Sequence, residues 1–141
     1  MDQQHDLILI IEDSATVQAV LSVHLRGAGY QCVTFAHGVN ALRWLHQQTQ
    51  VPALLLLDLS LPGMDGYQVM QQIRANPCWH AMAVVMLTGR DGVTDRLKGR
   101  VAGAQAYLTK PFLVQNLLAV VQETLHHREQ PLTIDQPKLS Y

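Results

Sequence analysis

Five short apolar runs alternate with longer amphipathic stretches along this sequence, and the alternation restricts the possible folds more than any other feature. The runs span residues 7–11, 31–35, 53–58, 83–87 and 106–108. The first, third and fourth are continuously apolar, which is typical of strands covered on both faces of a sheet. Each run is followed by a stretch in which apolar residues recur at helical spacing.

These amphipathic stretches predict five helices. Ser14 is the expected N-cap of the first and Asp65 that of the third. The second begins after Gly38, the fourth spans about residues 92–103, and the fifth runs from Leu113 to the histidines at 126 and 127. A strand followed by a helix, five times over, predicts an α/β fold in which a doubly wound, five-stranded parallel sheet carries helices on both faces.

The composition favours one packed domain. Of the 141 residues, 48% are hydrophobic and only 15% are charged, too few charges for a disordered chain. We expect the domain to span residues 7–127, after an N-terminal extension (1–6) and before a flexible tail (128–141) too short to form a DNA-binding domain. Because the net charge is −1, the chain has no overall basic field for nucleic-acid phosphates, and no direct DNA binding is expected.

Targeting signals and cysteine motifs are absent from the sequence. No apolar run reaches the roughly 18 residues of a membrane-spanning helix, and the polar N-terminus lacks the apolar core of a signal peptide. Cys32 and Cys78 have neither CxxC nor metal-ligand spacing. We therefore expect a cytoplasmic protein with two reduced thiols and no membrane contact.

Polar residues stand at or just after the carboxyl ends of four of the predicted strands. Glu12 and Asp13 follow the first run, Asp58 ends the third, Thr88 follows the fourth, and Lys110 lies just after the fifth. Ligands of open parallel sheets bind outside the carboxyl ends of the strands. If these strands are neighbours, the five side chains converge on one cleft.

Such a cleft has a definite chemistry. Clustered carboxylates repel one another, so either their pKa values rise or a cation joins them. Oxygen ligands open to water suit Mg²⁺, or Mn²⁺ in its place. Asp58 can then act as a nucleophile that forms an aspartyl-phosphate. Lys110 and the hydroxyl of Thr88 are the expected partners of the phosphoryl oxygens.

Taken singly, each of these residues has a simpler explanation. Glu12 and Asp13 could cap a helix, Thr88 could be an ordinary strand end, and Lys110 could be a solvated surface residue. Asp58 is the hardest to explain in this way, because it ends an aliphatic run. Their combination at four strand ends favours a functional site.

The same residues resemble the signature of a known family. Glu12–Asp13, Asp58, Thr88 and Lys110–Pro111–Phe112 are similar to the motifs of response-regulator receiver domains, the CheY-like phosphoacceptors of two-component signalling. The resemblance covers about residues 7–127 and implies the flavodoxin-like strand order 2-1-3-4-5. Residues 89–112 resemble in particular the regulators of type IV pilus twitching motility and phototaxis.

The resemblance implies a role for each acidic residue. Asp58 would be the phosphorylated residue. Asp13 and Asp58 would bind Mg²⁺ together with the main-chain carbonyl of Ser60, and Glu12 would act mainly through metal-bound water.

It also implies roles for the residues around the phosphoryl group. Thr88 would hydrogen-bond that group, Lys110 would pair with it, and the Lys110–Pro111 bond would be cis. Tyr107 matches the family's switch aromatic, which turns inward when Thr88 moves toward the phosphate. Ser60 and Arg90 stand at the positions that tune the lifetime of the phosphate.

Three functions are compatible with the sequence. The leading one is a phosphorylation switch that takes a phosphoryl group from a histidine kinase or phosphotransfer domain. Its catalysis would be only self-directed, and it would control a protein target through the fourth helix, fifth strand and fifth helix. A phosphohydrolase that uses Asp58 is disfavoured, because such enzymes usually need an acid where Ser60 stands. A pseudo-receiver that is never phosphorylated is disfavoured by the complete set of acids, threonine and lysine.

Overall fold

The computed structural model describes residues 6–61, 63–89 and 103–129 of the chain. Within them five strands run over Leu7–Ile11 (β1), Gln31–Phe35 (β2), Leu54–Asp58 (β3), Ala83–Thr88 (β4) and Ala106–Thr109 (β5). Four α-helices occupy Ala15–Gly27 (α1), Gly38–His46 (α2), Gly66–Ala75 (α3) and Val114–Glu129 (α4), and a 3₁₀ turn spans Pro77–Trp79. Helix α4 is the fifth helix of the sequence prediction.

The strands form one parallel sheet in the order β2-β1-β3-β4-β5. The predicted α/β fold, with its doubly wound sheet and strand order 2-1-3-4-5, is therefore confirmed. β4 continues one residue beyond the predicted run, because its ladder with β5 extends to the pair Thr88 and Thr109. The carboxyl ends of β1, β3, β4 and β5 consequently meet at one edge of the sheet.

Helices cover both faces of the sheet, so alternate strand residues enter two separate cores. Along β3, Leu54 and Leu56 face one core and Leu55 and Leu57 the other, and all four are fully buried. Helices α1 and α4 close the first core, through Leu21, Leu25, Leu117, Val121 and Leu125. Helices α2 and α3 close the second, through Ala41, Leu42, Leu45, Val69, Met70 and Ile73.

The helix starts next to the sheet edge are capped as expected. The Ser14 hydroxyl accepts a hydrogen bond from the backbone N–H of Val17. At α3 the Asp65 carboxylate accepts from the Gln68 N–H, and the Gln68 side chain accepts from the Asp65 N–H, which forms a capping box. Both caps fix the point at which the chain leaves the edge that carries the polar residues.

Some predictions fall outside the described residues. Arg90 and all but the last residue of the fourth predicted helix, over about residues 92–103, lie in this category and stay predictions. Among the residues that are described, no helix is long and apolar enough to cross a membrane. Cys32 and Cys78 are both free thiols.

Candidate functional site

Asp58 is the last residue of β3 and only 2% exposed. Its backbone pairs with Leu87 of β4, and the next amide, that of Leu59, donates to the Leu87 carbonyl at 3.2 Å. The Asp58 Oδ1 accepts a hydrogen bond from the Ser60 N–H at 3.0 Å. The carboxylate therefore stands at the end of a rigid central strand, with its orientation fixed by the turn that follows.

Glu12 follows β1 and is fully buried. Its Oε2 accepts from the Ser14 N–H at 3.0 Å, and its main-chain carbonyl accepts from the Gln18 side-chain amide at 2.6 Å. Its own amide donates to the carbonyl of Phe35. These bonds hold the β1–α1 connection in place, while the neighbouring Asp13 is exposed to solvent.

Lys110 joins the two buried acids. Its ammonium nitrogen Nζ lies 3.2 Å from Oε1 of Glu12 and 3.4 Å from Oδ2 of Asp58. Its backbone N–H donates to the carbonyl of Thr88 at 2.7 Å, which ties the β5–α4 connection to β4. The Lys110–Pro111 peptide bond is cis, the geometry that the family resemblance implies.

Thr88 ends β4 and is 1% exposed. Within the described part of the chain its hydroxyl oxygen, although buried, has no hydrogen-bond partner. A buried polar atom left unsatisfied costs on the order of 1–3 kcal/mol, so such atoms are rare in native proteins. The Thr88 hydroxyl is therefore free to form a hydrogen bond with a ligand in the cleft.

Three acids are close enough to share one metal ion. A carboxylate oxygen from each of Glu12, Asp13 and Asp58 can be chosen so that all three lie within 4.8 Å of one another. The donors are all oxygens, and the exposed Asp13 opens the cluster to water. Oxygen donors with solvent access are the ligands preferred by Mg²⁺ and similar hard divalent cations, so the cluster fits such an ion.

The charges of the site shift the pKa values of two groups. Burial raises the pKa of Glu12 above its ordinary value of 4.5, and the nearby Asp58 raises it further, against the opposing effects of the Ser14 N–H and Lys110. Burial lowers the pKa of Lys110, but the Asp58 and Glu12 carboxylates outweigh it and leave that pKa raised. Lys110 is therefore a cation at neutral pH, and the site holds a permanent positive charge beside Asp58.

The other predicted residues stand around this cluster. Ser60 follows Asp58 by two positions and is exposed. Tyr107 lies opposite Met86 in the β4–β5 ladder and packs, partly buried, against the core under α2 and α3. The sequence did not reveal Gln18, whose amide holds the Glu12 carbonyl. Its position one helical turn after the Ser14 cap was the only available signal.

The sequence matches a protein family over most of its length. Residues 8–122 match the response regulator receiver domain. The chain belongs to this family. Protein PilG of Pseudomonas aeruginosa is 33% identical to it over 124 residues, which are 86% of this chain and 90% of PilG.

Solved receiver domains share the fold. The receiver domain of the sensor histidine kinase PA1611 from Pseudomonas aeruginosa, whose structure contains a magnesium ion in the active-site cleft, is 31% identical. It superimposes with a TM-score of 0.78 over 87% of this chain and 99% of that one. The fold that surrounds the acidic cluster is thus one that holds magnesium in a related receiver domain.

Some relatives are much longer than this chain. The DNA-binding response regulator MtrA of Mycobacterium tuberculosis is 34% identical over 129 residues, which are 92% of this chain. The matched part is only 54% of MtrA. The similarity to MtrA therefore concerns the receiver domain that the two proteins share.

Proposed function

We propose that this receiver domain is a switch that accepts a phosphoryl group on Asp58 from a histidine kinase or a phosphotransfer domain. One observation carries the proposal. Asp58 is a buried carboxylate at a strand end, and it lies 3.4 Å from the Lys110 ammonium on the edge where the unsatisfied Thr88 hydroxyl also ends its strand. Burial of a charged group is costly, so a gain in stability does not by itself explain a carboxylate at this position.

The reaction is a transfer between a nitrogen and an oxygen. A carboxylate oxygen of Asp58 attacks the phosphorus of a phosphohistidine, an O–P bond forms, and the P–N bond to the donor imidazole breaks. The imidazole keeps the electron pair of that bond and takes a proton from water. Lys110 stays charged throughout, so it neutralises the phosphoryl oxygens without giving up its own proton.

A divalent cation completes the site in this proposal. Mg²⁺, or Mn²⁺ in its place, would be held by Asp13, Asp58 and the main-chain carbonyl of Ser60, with Glu12 acting through metal-bound water. When bound, the ion supplies positive charge that stabilises the transferring phosphoryl group. The chain itself places the carboxylates, supplies the Lys110 cation and limits access of water to the buried side of Asp58.

The output of the switch begins at Thr88. Its hydroxyl would donate a hydrogen bond to a phosphoryl oxygen and gain the partner that it otherwise lacks. The resulting shift at the end of β4 would let Tyr107 turn inward on the neighbouring strand. The altered surface would comprise the fourth predicted helix, β5 and α4, and it would bind a protein target.

The proposal extends to the lifetime of the phosphate and to the cellular setting. The domain would hydrolyse its own aspartyl-phosphate, at a rate tuned by Ser60 and Arg90. Control of motility is the proposed pathway, supported by the resemblance of residues 89–112 to twitching and phototaxis regulators and by the similarity to PilG. The same proposal includes a cytoplasmic location, which agrees with the free thiols. It also includes domain limits at residues 7 and 127.

Phosphorylation by a small donor tests the central step. The wild type, Asp58→Asn and Asp65→Asn are incubated with phosphoramidate and Mg²⁺, and their intact masses are measured. We expect one phosphoryl adduct on the wild type and on Asp65→Asn, because Asn still caps α3. We expect none on Asp58→Asn. No adduct on the wild type, or an undiminished adduct on Asp58→Asn, would contradict the proposal.

The phosphoramidate experiment and a separate phosphomonoesterase assay distinguish the two other functions. Failure of the wild type to gain any adduct would favour the pseudo-receiver. Sustained multiple turnover of a phosphomonoester with Mg²⁺ would favour the phosphohydrolase. Neither is favoured by a specific contact in the site, whereas the Lys110 and Thr88 geometry is accounted for by an aspartyl-phosphate.

A further inference from the structure

Gly66 makes an unusually close contact with the end of β3. It is the first residue of α3 and is buried, and its N–H donates to the carbonyl of Leu59 at 3.3 Å. A Cβ placed at Gly66 would lie 2.7 Å from both the Asp58 carbonyl oxygen and the Leu59 Cα. These are backbone atoms, so they cannot rotate away as the tip of a side chain can. Only a hydrogen atom fits at this position.

We propose that Gly66 is a positioning residue for the phosphoacceptor Asp58. By lacking a side chain it lets the start of α3 close onto the end of β3, which fixes the main chain at Asp58 and the turn that carries Ser60. This inference rests on the proposed function. It adds to that function a residue that touches neither the metal nor the phosphoryl group.

A shift of the Asp58 main chain would reach the reacting atoms directly. The Asp58 carboxylate is held by the Ser60 N–H at 3.0 Å and lies 3.4 Å from the Lys110 ammonium. Both contacts depend on where β3 ends. The hydrogen bond from Gly66 to Leu59 also closes the turn that contains Ser60, whose carbonyl is a proposed metal ligand. The same displacement would therefore disturb the nucleophile and the metal site together.

The helix cannot easily move away to relieve an added methyl group. The capping box between Asp65 and Gln68 fixes its first turn. Val69, Met70 and Ile73 of α3 are completely buried in the core under α2 and α3. Because the core is close-packed, part of the displacement must fall on the strand end.

Gly38 provides a matched control. It is likewise the buried first residue of a helix, α2, on the same face of the sheet. A Cβ there would meet Val69 Cγ2 at 2.5 Å, which is the end of a side chain, and its nearest backbone contact is the Met64 carbonyl at 3.5 Å. Neither glycine has a positive φ, so alanine is compatible with the backbone at both positions. The Gly38 overlap falls on the side chain of Val69 in α3, whereas the Gly66 overlap falls directly on the backbone at Asp58 and Leu59.

The test compares Gly66→Ala and Gly38→Ala with the wild type. Mg²⁺ affinity is measured by calorimetry, the rate of phosphorylation by phosphoramidate is followed by mass, and the amide signals of Asp58 and Ser60 are recorded by NMR. We expect Gly66→Ala to shift these signals and to lower affinity and rate by about tenfold or more, since misplacement by about 1 Å can cost about a hundredfold. Gly38→Ala, whose overlap falls on a side chain, should lower both by clearly less than Gly66→Ala does.

The other possible results of this test would overturn either the positioning role of Gly66 or the proposed function. Equal effects of the two substitutions, or unchanged signals, affinity and rate in Gly66→Ala, would overturn the inference. If Gly66→Ala unfolds, the measurements are repeated with trimethylamine N-oxide, which favours the folded state. A refolded variant that behaved as the wild type would also overturn it. A wild type that is not phosphorylated would contradict the proposed function instead, and the amide signals would still decide whether Gly66 positions Asp58.

Discussion

The two ends of the central strands are equally buried and chemically opposite. β3 begins at Leu54 and ends at Asp58, and β4 begins at Ala83 and ends at Thr88. None of the four residues is more than 2% exposed. The amino ends are apolar, whereas the carboxyl ends carry a carboxylate and a hydroxyl.

This difference in polarity implies that the two ends contribute differently to the free energy of unfolding. Full burial of a leucine stabilises the folded state by roughly 1.5–3 kcal/mol. Burial of a charged group costs several kcal/mol for each ion unless a partner compensates it. Asp58 and Glu12 share one cation, Lys110, which is 26% exposed. We therefore infer that the amino ends of β3 and β4 contribute more to stability than their carboxyl ends. The carboxyl ends carry the polar groups that could bind a ligand.

The amino end should be the more sensitive to truncation. Leu54→Ala removes a completely buried side chain from the core under α1 and α4, and we expect the free energy of unfolding to fall by about 2–5 kcal/mol. Urea denaturation measures the loss. Val23→Ala is the matched control, because Val23 is 65% exposed on α1 and its truncation should change stability by less than about 0.5 kcal/mol. Equal losses in the two variants would contradict this description of the core.

At the carboxyl end the expected loss is smaller and depends on metal. Lys110→Met removes the cation that both buried carboxylates contact. Because the lysine is partly exposed, we expect a loss of about 1–2 kcal/mol rather than the full cost of about 3–5 kcal/mol for breaking a buried ion pair. Added Mg²⁺ should restore part of it, since a ligand that binds only the folded state stabilises that state. Urea denaturation with and without Mg²⁺ measures both effects.

An exposed cation on α2 supplies the comparison for this prediction. Arg43→Met also removes one positive charge, but from an exposed side chain. We expect it to leave stability within about 0.5 kcal/mol of the wild type, with or without metal. If Lys110→Met behaved like Arg43→Met, the contacts of Lys110 with Glu12 and Asp58 would have no energetic role.

Most of this comparison could be predicted from the sequence. Apolar runs that end in polar residues located the strands and their carboxyl ends, because periodicity records which residues face the core. The caps at Ser14 and Asp65 followed from local chemistry. The parallel sheet then brought Asp58 and Thr88 to the same edge, since parallel strands place their carboxyl ends together.

The features that could not be predicted depend on tertiary contacts between residues that are distant in the sequence. Lys110 was expected to pair with a phosphoryl group, but its contact with Glu12 joins residues 98 positions apart. The role of Gly66 was not predicted, because the β3 backbone that excludes a Cβ at this position is brought close to it only when the helix packs against the sheet. Leu113 was expected to begin the last helix, whereas it precedes α4 and is 61% exposed. Hydrophobic spacing does not record where a helix first meets the sheet.

The smallest expected effect is a dependence of stability on pH at the carboxyl end. The pKa of Glu12 is raised above its ordinary value of 4.5, chiefly by burial. Between pH 4.5 and the raised pKa, the folded state therefore holds a proton that the unfolded state has released. Stability must therefore fall as the pH rises from 4.5 through the raised pKa, because deprotonation then favours the unfolded chain. The contribution is modest, since the Ser14 N–H and Lys110 partly offset the burial.

Glu12→Gln isolates this contribution, because glutamine keeps the acceptor oxygen but cannot ionise. In metal-free buffer with EDTA, urea denaturation at a series of pH values should show the variant gaining stability relative to the wild type as the pH rises from 4.5 to neutral. Glu123→Gln, at an exposed position of α4, should show no such gain. If the stability gained by Glu12→Gln over the wild type stayed constant or shrank with rising pH, ionisation of the buried Glu12 would not destabilise the folded state. The contrast between the two ends of the sheet would then be one of chemistry alone and not of stability.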